Sequence, residues 1–173
     1  MTIWVTADAH WNHLNIIGFC GRPYTGPDGQ PDVKAMNQDL IARWNARVKP
    51  EDTVYVIGDF ALGPARLVDE YLRVLIGHKI LIRGNHDRLS KGRYLRAGFE
   101  EVHKHLWLGP YLLMHRPADA LLLLATEKRH AIILCGHVHD RWAQSNGCIN
   151  VGVDVRQFQP VMLEELGLAS VGE

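Results

Sequence analysis

Residues 36–63 read MNQDLIARWNARVKPEDTVYVIGDFALG, and this stretch decides the fold class. Its first part, taken back to Val33, carries Met36, Leu40, Ile41, Trp44 and Val48 at helical spacing, and Lys49-Pro50 ends the pattern. Thr53 to Ile57 then fills consecutive positions with β-branched and aliphatic residues, as a strand buried on both faces does, and stops at Gly58-Asp59. A helix that leads into a buried strand with a Gly-Asp end predicts an α/β core.

The same plan recurs on both sides. Thr2 to Ala7 stops at Asp8, Lys79 to Ile82 stops at Arg83-Gly84-Asn85, and Ala131 to Cys135 stops at Gly136-His137. A second helix is expected over Pro64 to Leu75, with Pro64 near its first turn and Leu67, Val68, Tyr71, Leu72 and Leu75 as the buried stripe. In the second half, Val102 to Leu108 and Tyr111 to His115 flank Gly109-Pro110, a hairpin signal. Ile149 to Val155 and Val161 to Leu166 flank a turn with Gln159-Pro160. Antiparallel pairs added to alternating strands and helices predict two packed mixed β-sheets, a β-sandwich, flanked by helices. Gly21 to Asp32, rich in Pro and Gly, reads as a loop. Residues 1–168 are expected to form one domain and 169–173 a flexible tail.

Composition narrows the function classes. The chain has 173 residues, 47% hydrophobic and 22% charged, with 19 Lys+Arg against 19 Asp+Glu. A formal charge of zero exerts no overall pull on nucleic acid or anionic membrane. The longest apolar run, Ala120 to Ala125, is far below the roughly 20 residues that span a bilayer. The opening MTIWVTADAH meets polar residues too early for a secretory signal. Cys20, Cys135 and Cys148 are odd in number and unpatterned, as expected of buried free thiols in the cytoplasm.

Histidine stands out, with 10 residues. Several cluster with Asp, Asn or Gly at the strand ends: Asp8-Ala9-His10, Gly58-Asp59, Gly84-Asn85-His86-Asp87, His115 and Gly136-His137-Val138-His139. Ligands bind at the carboxyl ends of strands in open α/β sheets. Imidazole and carboxylate donors suit divalent Mn, Fe, Co, Ni or Zn. No cysteine lies within these clusters, which argues against a structural thiolate zinc site. In extended backbone Asp8 and His10 would point to one side, as would His137 and His139. The glycines before Asp59, Asn85 and His137 would let the chain turn into a crowded site.

In this order, DAH, GD, GNHD, H and GHVH resemble the motifs of the calcineurin-like metallophosphoesterase superfamily, from Asp8 to His139. DAHWNHLNII, MNQDLIARWNARVKPEDTVYVIGDFALG and NVGVDVRQFQPVMLEEL are similar to its small bacterial and phage branch. The resemblance implies a β-sandwich flanked by helices and a dinuclear, metal-dependent phosphoesterase, a phosphodiesterase ahead of a phosphomonoesterase. It implies two divalent ions, Mn first, with Fe, Zn, Ni or Co as alternatives. Asp8, His10 and His139 would hold the first ion, Asp59 would bridge, and Asn85, His115 and His137 would complete the second site. His86 would face the substrate, and Asp87 would orient it by a hydrogen bond. A hydroxide bridging the ions would attack phosphorus in line with the leaving oxygen, and His86 would stabilise or protonate the leaving group. Gly58 to Gly63 lacks the second Asp and the Arg that many relatives carry after the bridging Asp, which counts against a protein Ser/Thr phosphatase.

His13, Arg116 and Arg22 are the expected substrate contacts, each with a bland alternative as a loop or salt-bridge residue. Asp140 and Asp154 either orient ligands or serve turns. His78, His103, His105 and His130 read as non-catalytic, and Lys91, Arg93 and Arg96 as a solvated helix face ahead of a nucleic-acid patch. Trp4, Trp44 and Trp107 read as core, while Trp11 and Trp142 are expected to wall the pocket. The expected partner is a small phosphate ester, with no strong nucleic-acid signal and no membrane, and the sequence specifies no oligomeric state. The competing readings are a metal-dependent nuclease and a non-catalytic scaffold, and the full ligand set with His86 favours catalysis over the scaffold.

Overall fold

The strands of this protein are apolar at nearly every position because both of their faces are covered. The structure, a computed structural model, describes residues 1–166; the expected tail at 169–173 lies outside them. One sheet has the order β10-β1-β2-β3-β4, formed by β1 (Ile3–Thr6), β2 (Thr53–Ile57), β3 (His78–Ile82), β4 (Glu101–His103) and β10 (Val161–Met162). Its first four strands are parallel and β10 is antiparallel. The other has the order β5-β6-β7-β9-β8, formed by β5 (Leu106–Leu108), β6 (Tyr111–Leu113), β7 (Ile132–Cys135), β8 (Gln144–Ser145) and β9 (Cys148–Asn150). It is also mixed.

Side-chain alternation divides each apolar strand between two cores. Val54 and Val56 face a cluster with Met36, Leu40 and Trp44 of α2 (Val33–Arg47), Val68 and Leu72 of α3 (Ala65–Val74) and Tyr94 of α4 (Lys91–Ala97). Ile57, Ile80 and Ile82 face the opposite way and meet Tyr111, Leu113 and Leu134 of the second sheet. Leu112, Ile133 and Cys135 lie on that sheet's far side, against Ala120 of α5 (Pro117–Glu127). The layers are therefore helices, sheet, sheet, helix, as expected. The α2 and α4 starts are capped by Asp32 and Ser90 side chains, which accept from Ala35 N and Arg93 N.

Three local expectations are corrected. Val102 to Leu108 is not one strand: the chain leaves the first sheet after His103, crosses at Lys104-His105 and enters the second as β5. Only β5 and β6 form the expected hairpin. Ile149 to Val155 does not pair with Val161 to Leu166, because β9 and β10 belong to different sheets and Val153–Val155 is a 3-10 turn. Helices α1 (Leu14–Phe19) and α5 appear where no periodic stripe was read. In α5 leucines occupy several sides, and Leu121 and Leu122 are exposed, so its sequence lacks a one-sided pattern.

Candidate metal centre

The carboxyl ends of β1, β2, β3, β6 and β7 meet at one edge of the sandwich, where they bring every predicted ligand together. Donor atoms of Asp8, His10 and His139 lie within 4.8 Å of one another, and so do those of Asp8, Asp59 and His115. Asn85 Oδ1 is 3.1 Å from His115 Nε2, and the His137 ring is 5.3 Å from the His115 ring. Asp59 Oδ2 sits between the two groups, 3.5 Å from His10 Nε2 and 3.3 Å from His115 Nε2.

The reason these side chains converge differs from the period-two expectation. Asp8, His10, Asp59, His137 and His139 have φ of 56°, 50°, 53°, 72° and 51°, all in the left-handed region that non-glycine residues avoid. Such conformations cost about 1–3 kcal/mol each and persist where the surroundings impose them. Here Asp8 N and His10 N donate to the Gly58 and Asp59 carbonyls. Asp8 Oδ2 accepts from His137 N at 2.9 Å, which ties one sheet's end to the other. Gly84 and Gly136 permit this closeness: a Cβ at either would fall on the Asp59 or Asp8 carboxylate.

Electrostatics fit a cation. Asp8 is fully buried, and burial pushes its carboxyl up to about 6. Burial opposes the Asp59 charge too, but the hydrogen bond and charge of His115 outweigh it and hold that carboxyl below the usual range. Burial lowers His10 to about 3. His115 goes to about 9, because Asp59 and Asp8 overcome its burial. Asp8 Oδ1 and His10 Nε2 are buried with no hydrogen-bond partner among the described residues, and such atoms are costly without a ligand. His115 Nδ1 is 2.9 Å from the Ile57 carbonyl, a donor arrangement that would give Nε2 to a cation once the cation replaces its proton. His139 Nδ1 faces Asp154 at 3.2 Å, with the same consequence. The donor set therefore fits divalent ions.

The calcineurin-like phosphoesterase superfamily domain matches residues 1–157. The chain belongs to the calcineurin-like phosphoesterase superfamily. Its relatives include the uncharacterised protein MJ1445 of Methanocaldococcus jannaschii, 33% identical over 171 residues, which covers 94% of this chain and 87% of that protein. The Gene 66 protein of Mycobacterium phage D29 is 34% identical over 183 residues, covering 88% and 87%. A protein of unknown function, AQ665 from Aquifex aeolicus, superposes with a TM-score of 0.72 at 26% identity, covering 96% of this chain and 97% of its own. Metal-dependent phosphoester hydrolysis is the chemistry of this superfamily, and the phosphoesterase fold accounts for both the sandwich and the clustered histidines.

Several expected contacts take other roles in this phosphoesterase. Asp87 does not reach for His86. Its Oδ2 accepts from Asp59 N and Gly84 N, both at 2.8 Å, and its Oδ1 from Phe60 N at 3.1 Å. It clamps two ligand loops rather than the imidazole. Arg22, expected at the substrate, is 3% exposed. Its donors go to Asp154 and to the Asp8 and Ala9 carbonyls, so it braces the first ligand loop from behind. Trp11 is core, stacked on Tyr71 and edge-on to Phe60, and Trp142 packs in the cluster beside α5. His86 remains accessible at the mouth, its ring 5.3 Å from that of His10. His13 is half-buried beside them, and Arg116 is exposed at the start of α5.

Two features escaped the sequence reading. Asn150 is fully buried; its Nδ2 donates to the His139 and Trp142 carbonyls and its Oδ1 accepts from Gly152 N. Its partners are all backbone groups, so no side-chain pattern marks it. Cys20, expected to be a buried free thiol outside the motif clusters, is half-buried and groups with His139 and Asp154 within 4.8 Å. His78 and His103 pair with Glu100 and Glu101, and Arg93 forks onto Asp69, consistent with non-catalytic roles.

Proposed function

We propose that this protein is a dinuclear metal-dependent phosphoesterase that acts on a phosphodiester in preference to a phosphomonoester. The observation that carries the reading is Asp59 Oδ2, which lies within 3.5 Å of imidazole nitrogens from two separate donor groups. Asp8, His10 and His139 would hold one ion, Asn85, His115 and His137 the other, with Asp59 between. Nitrogen and oxygen donors without a thiolate in either set favour Mn, with Fe, Zn, Ni or Co as substitutes. Two such ions supply Lewis-acid activation of the ester and of water.

The chain's own groups do the rest. Asp87 and Arg22 hold the ligand loops in their left-handed conformations, so the donors need no rearrangement. His86, at the mouth, hydrogen-bonds the phosphate or passes a proton to the leaving oxygen. His13 and Arg116 flank the approach and can meet the anionic oxygens. Three free thiols agree with a cytoplasmic setting.

Hydrolysis of bis(p-nitrophenyl) phosphate should require added Mn²⁺ and stop with chelator. In His86→Ala, turnover should fall by about 10²–10⁴-fold with metal content retained. Normal turnover in that variant removes the role given to His86, and no metal-dependent hydrolysis in the wild type sinks the reading.

A further inference from the structure

A second cavity shares two walls with the candidate metal centre. It has a volume of about 240 Å³, and Asn85 and His115 line it together with Arg83, Lys104, Arg116 and Asp119. It thus borders the side assigned to the second ion. Three cationic side chains face one carboxylate there.

Those cations are not neutralised inside the protein. Among the described residues, neither Lys104 nor Arg116 has a carboxylate within ion-pair distance, and both are exposed. Arg83 Nη2 donates to the Asp87 and Leu89 carbonyls at 2.7 and 3.0 Å, which fixes the guanidinium without cancelling its charge. Its Nε is buried with no partner among the described residues. The groove between α3 and α4 is also cationic, lined by Arg73, Arg96 and an Arg93 that is paired with Asp69, but no metal-centre residue lines it, so only the cavity at Asn85 and His115 places positive charge beside that centre.

We propose that this cavity is a subsite for a second phosphate, so that the preferred substrate carries another phosphoryl group next to the one hydrolysed. The proposal rests on the phosphoesterase reading and deepens it: the zero net charge of the chain conceals a local positive pocket beside the reacting centre. Lys104 and Arg116 would bind the second phosphate, Arg83 would supply fixed positive charge behind them, and Asp119 would limit the attraction. An oligonucleotide and a small phosphodiester with a neighbouring phosphate share this chemistry, and a nucleoside bisphosphate is the minimal binding probe that carries two phosphates.

Calorimetric titration with thymidine 3′,5′-bisphosphate and thymidine 5′-monophosphate, with and without Mn²⁺, tests it. The wild type should bind the bisphosphate roughly tenfold more tightly, as expected for charge-assisted contacts at a partly exposed site. Lys104→Glu should bring the ratio near one while bis(p-nitrophenyl) phosphate hydrolysis stays unchanged, and Asp119→Asn should raise the ratio. Equal affinities in the wild type, or a preference that survives Lys104→Glu, overturn the subsite. A failed metal centre weakens both ligands together and leaves the ratio to be read. A further gain with a thymidine tetranucleotide assigns the subsite to a strand, and no gain assigns it to a small diester with one neighbouring phosphate.

Discussion

The two sheets contribute unlike halves of the site. The first sheet's loops bring both carboxylates, Asp8 and Asp59, with His10, Asn85 and His86; the second brings only imidazoles, His115, His137 and His139. Their buttresses differ as well. The first sheet's loops are locked by a buried carboxylate, Asp87, that collects backbone N–H groups, and by Arg22, which caps backbone carbonyls. The second sheet's loop is held by the Asn150 amide and by Asp154 on His139. Anionic donors thus sit on the more rigid half, and the imidazoles close on them from the other sheet. Cation binding would then join the layers across the interface as well as serve the chemistry.

Breaking the centre of this arrangement should have the largest effect. Asp59→Asn removes the oxygen shared by both donor groups, and metal content by elemental analysis should fall more than about 100-fold, beyond the range typical of outer partners. Asp87→Ala leaves three backbone N–H groups of the first sheet's loops without their acceptor. Stability measured by urea unfolding should drop by about 3 kcal/mol, a loss on the rigid half alone. Asp154→Ala removes the partner of His139 and of the buried Arg22 guanidinium, so metal affinity should weaken by roughly 10–100-fold and stability should also fall, by about 3 kcal/mol.

The smallest effect lies at the far end of the first sheet and serves as a control. Burial opposes the Asp52 charge, but hydrogen bonds from Trp4 Nε1, Thr2 N and Lys49 N hold its carboxyl down at about 2, against an ordinary 3.8. A depressed carboxyl stabilises the fold above its unfolded value, so this contribution is complete above about pH 4 and is lost as pH falls through 2. Asp52→Asn should lose about 1 kcal/mol at neutral pH, flatten the stability profile between pH 4 and 2, and leave metal affinity intact. A change in metal affinity would mean that the two ends of the sheet are not independent.

The convergence of the seven proposed donors was legible because each lies where a run of apolar residues stops. A buried strand must end before it can present a polar side chain, so Ile57-Gly58-Asp59 and Cys135-Gly136-His137 mark their own geometry. Asp87 and Arg22 were misread because their partners, backbone atoms and for Arg22 also the Asp154 carboxylate, are brought close only by folding. A carboxylate next to His86 in sequence looks like its orienting group, yet two N–H groups of the β2 loop and one of the β3 loop are better-placed donors. The split of Val102 to Leu108 between sheets was hidden because an apolar run states that it is buried and not in which layer.

Sequence alone determined the α/β alternation, the buried strands and which Asp, Asn and His side chains cluster at the strand ends, since these depend on local pattern and on the chemistry of side chains. Tertiary structure alone decided the left-handed backbone at five donor residues, the hydrogen bond from His137 N that ties the sheets, and the positive pocket of Arg83, Lys104 and Arg116. Each of these depends on how far apart in space two segments lie, and distance between remote segments is set by the packing of whole layers rather than by either segment's own residues.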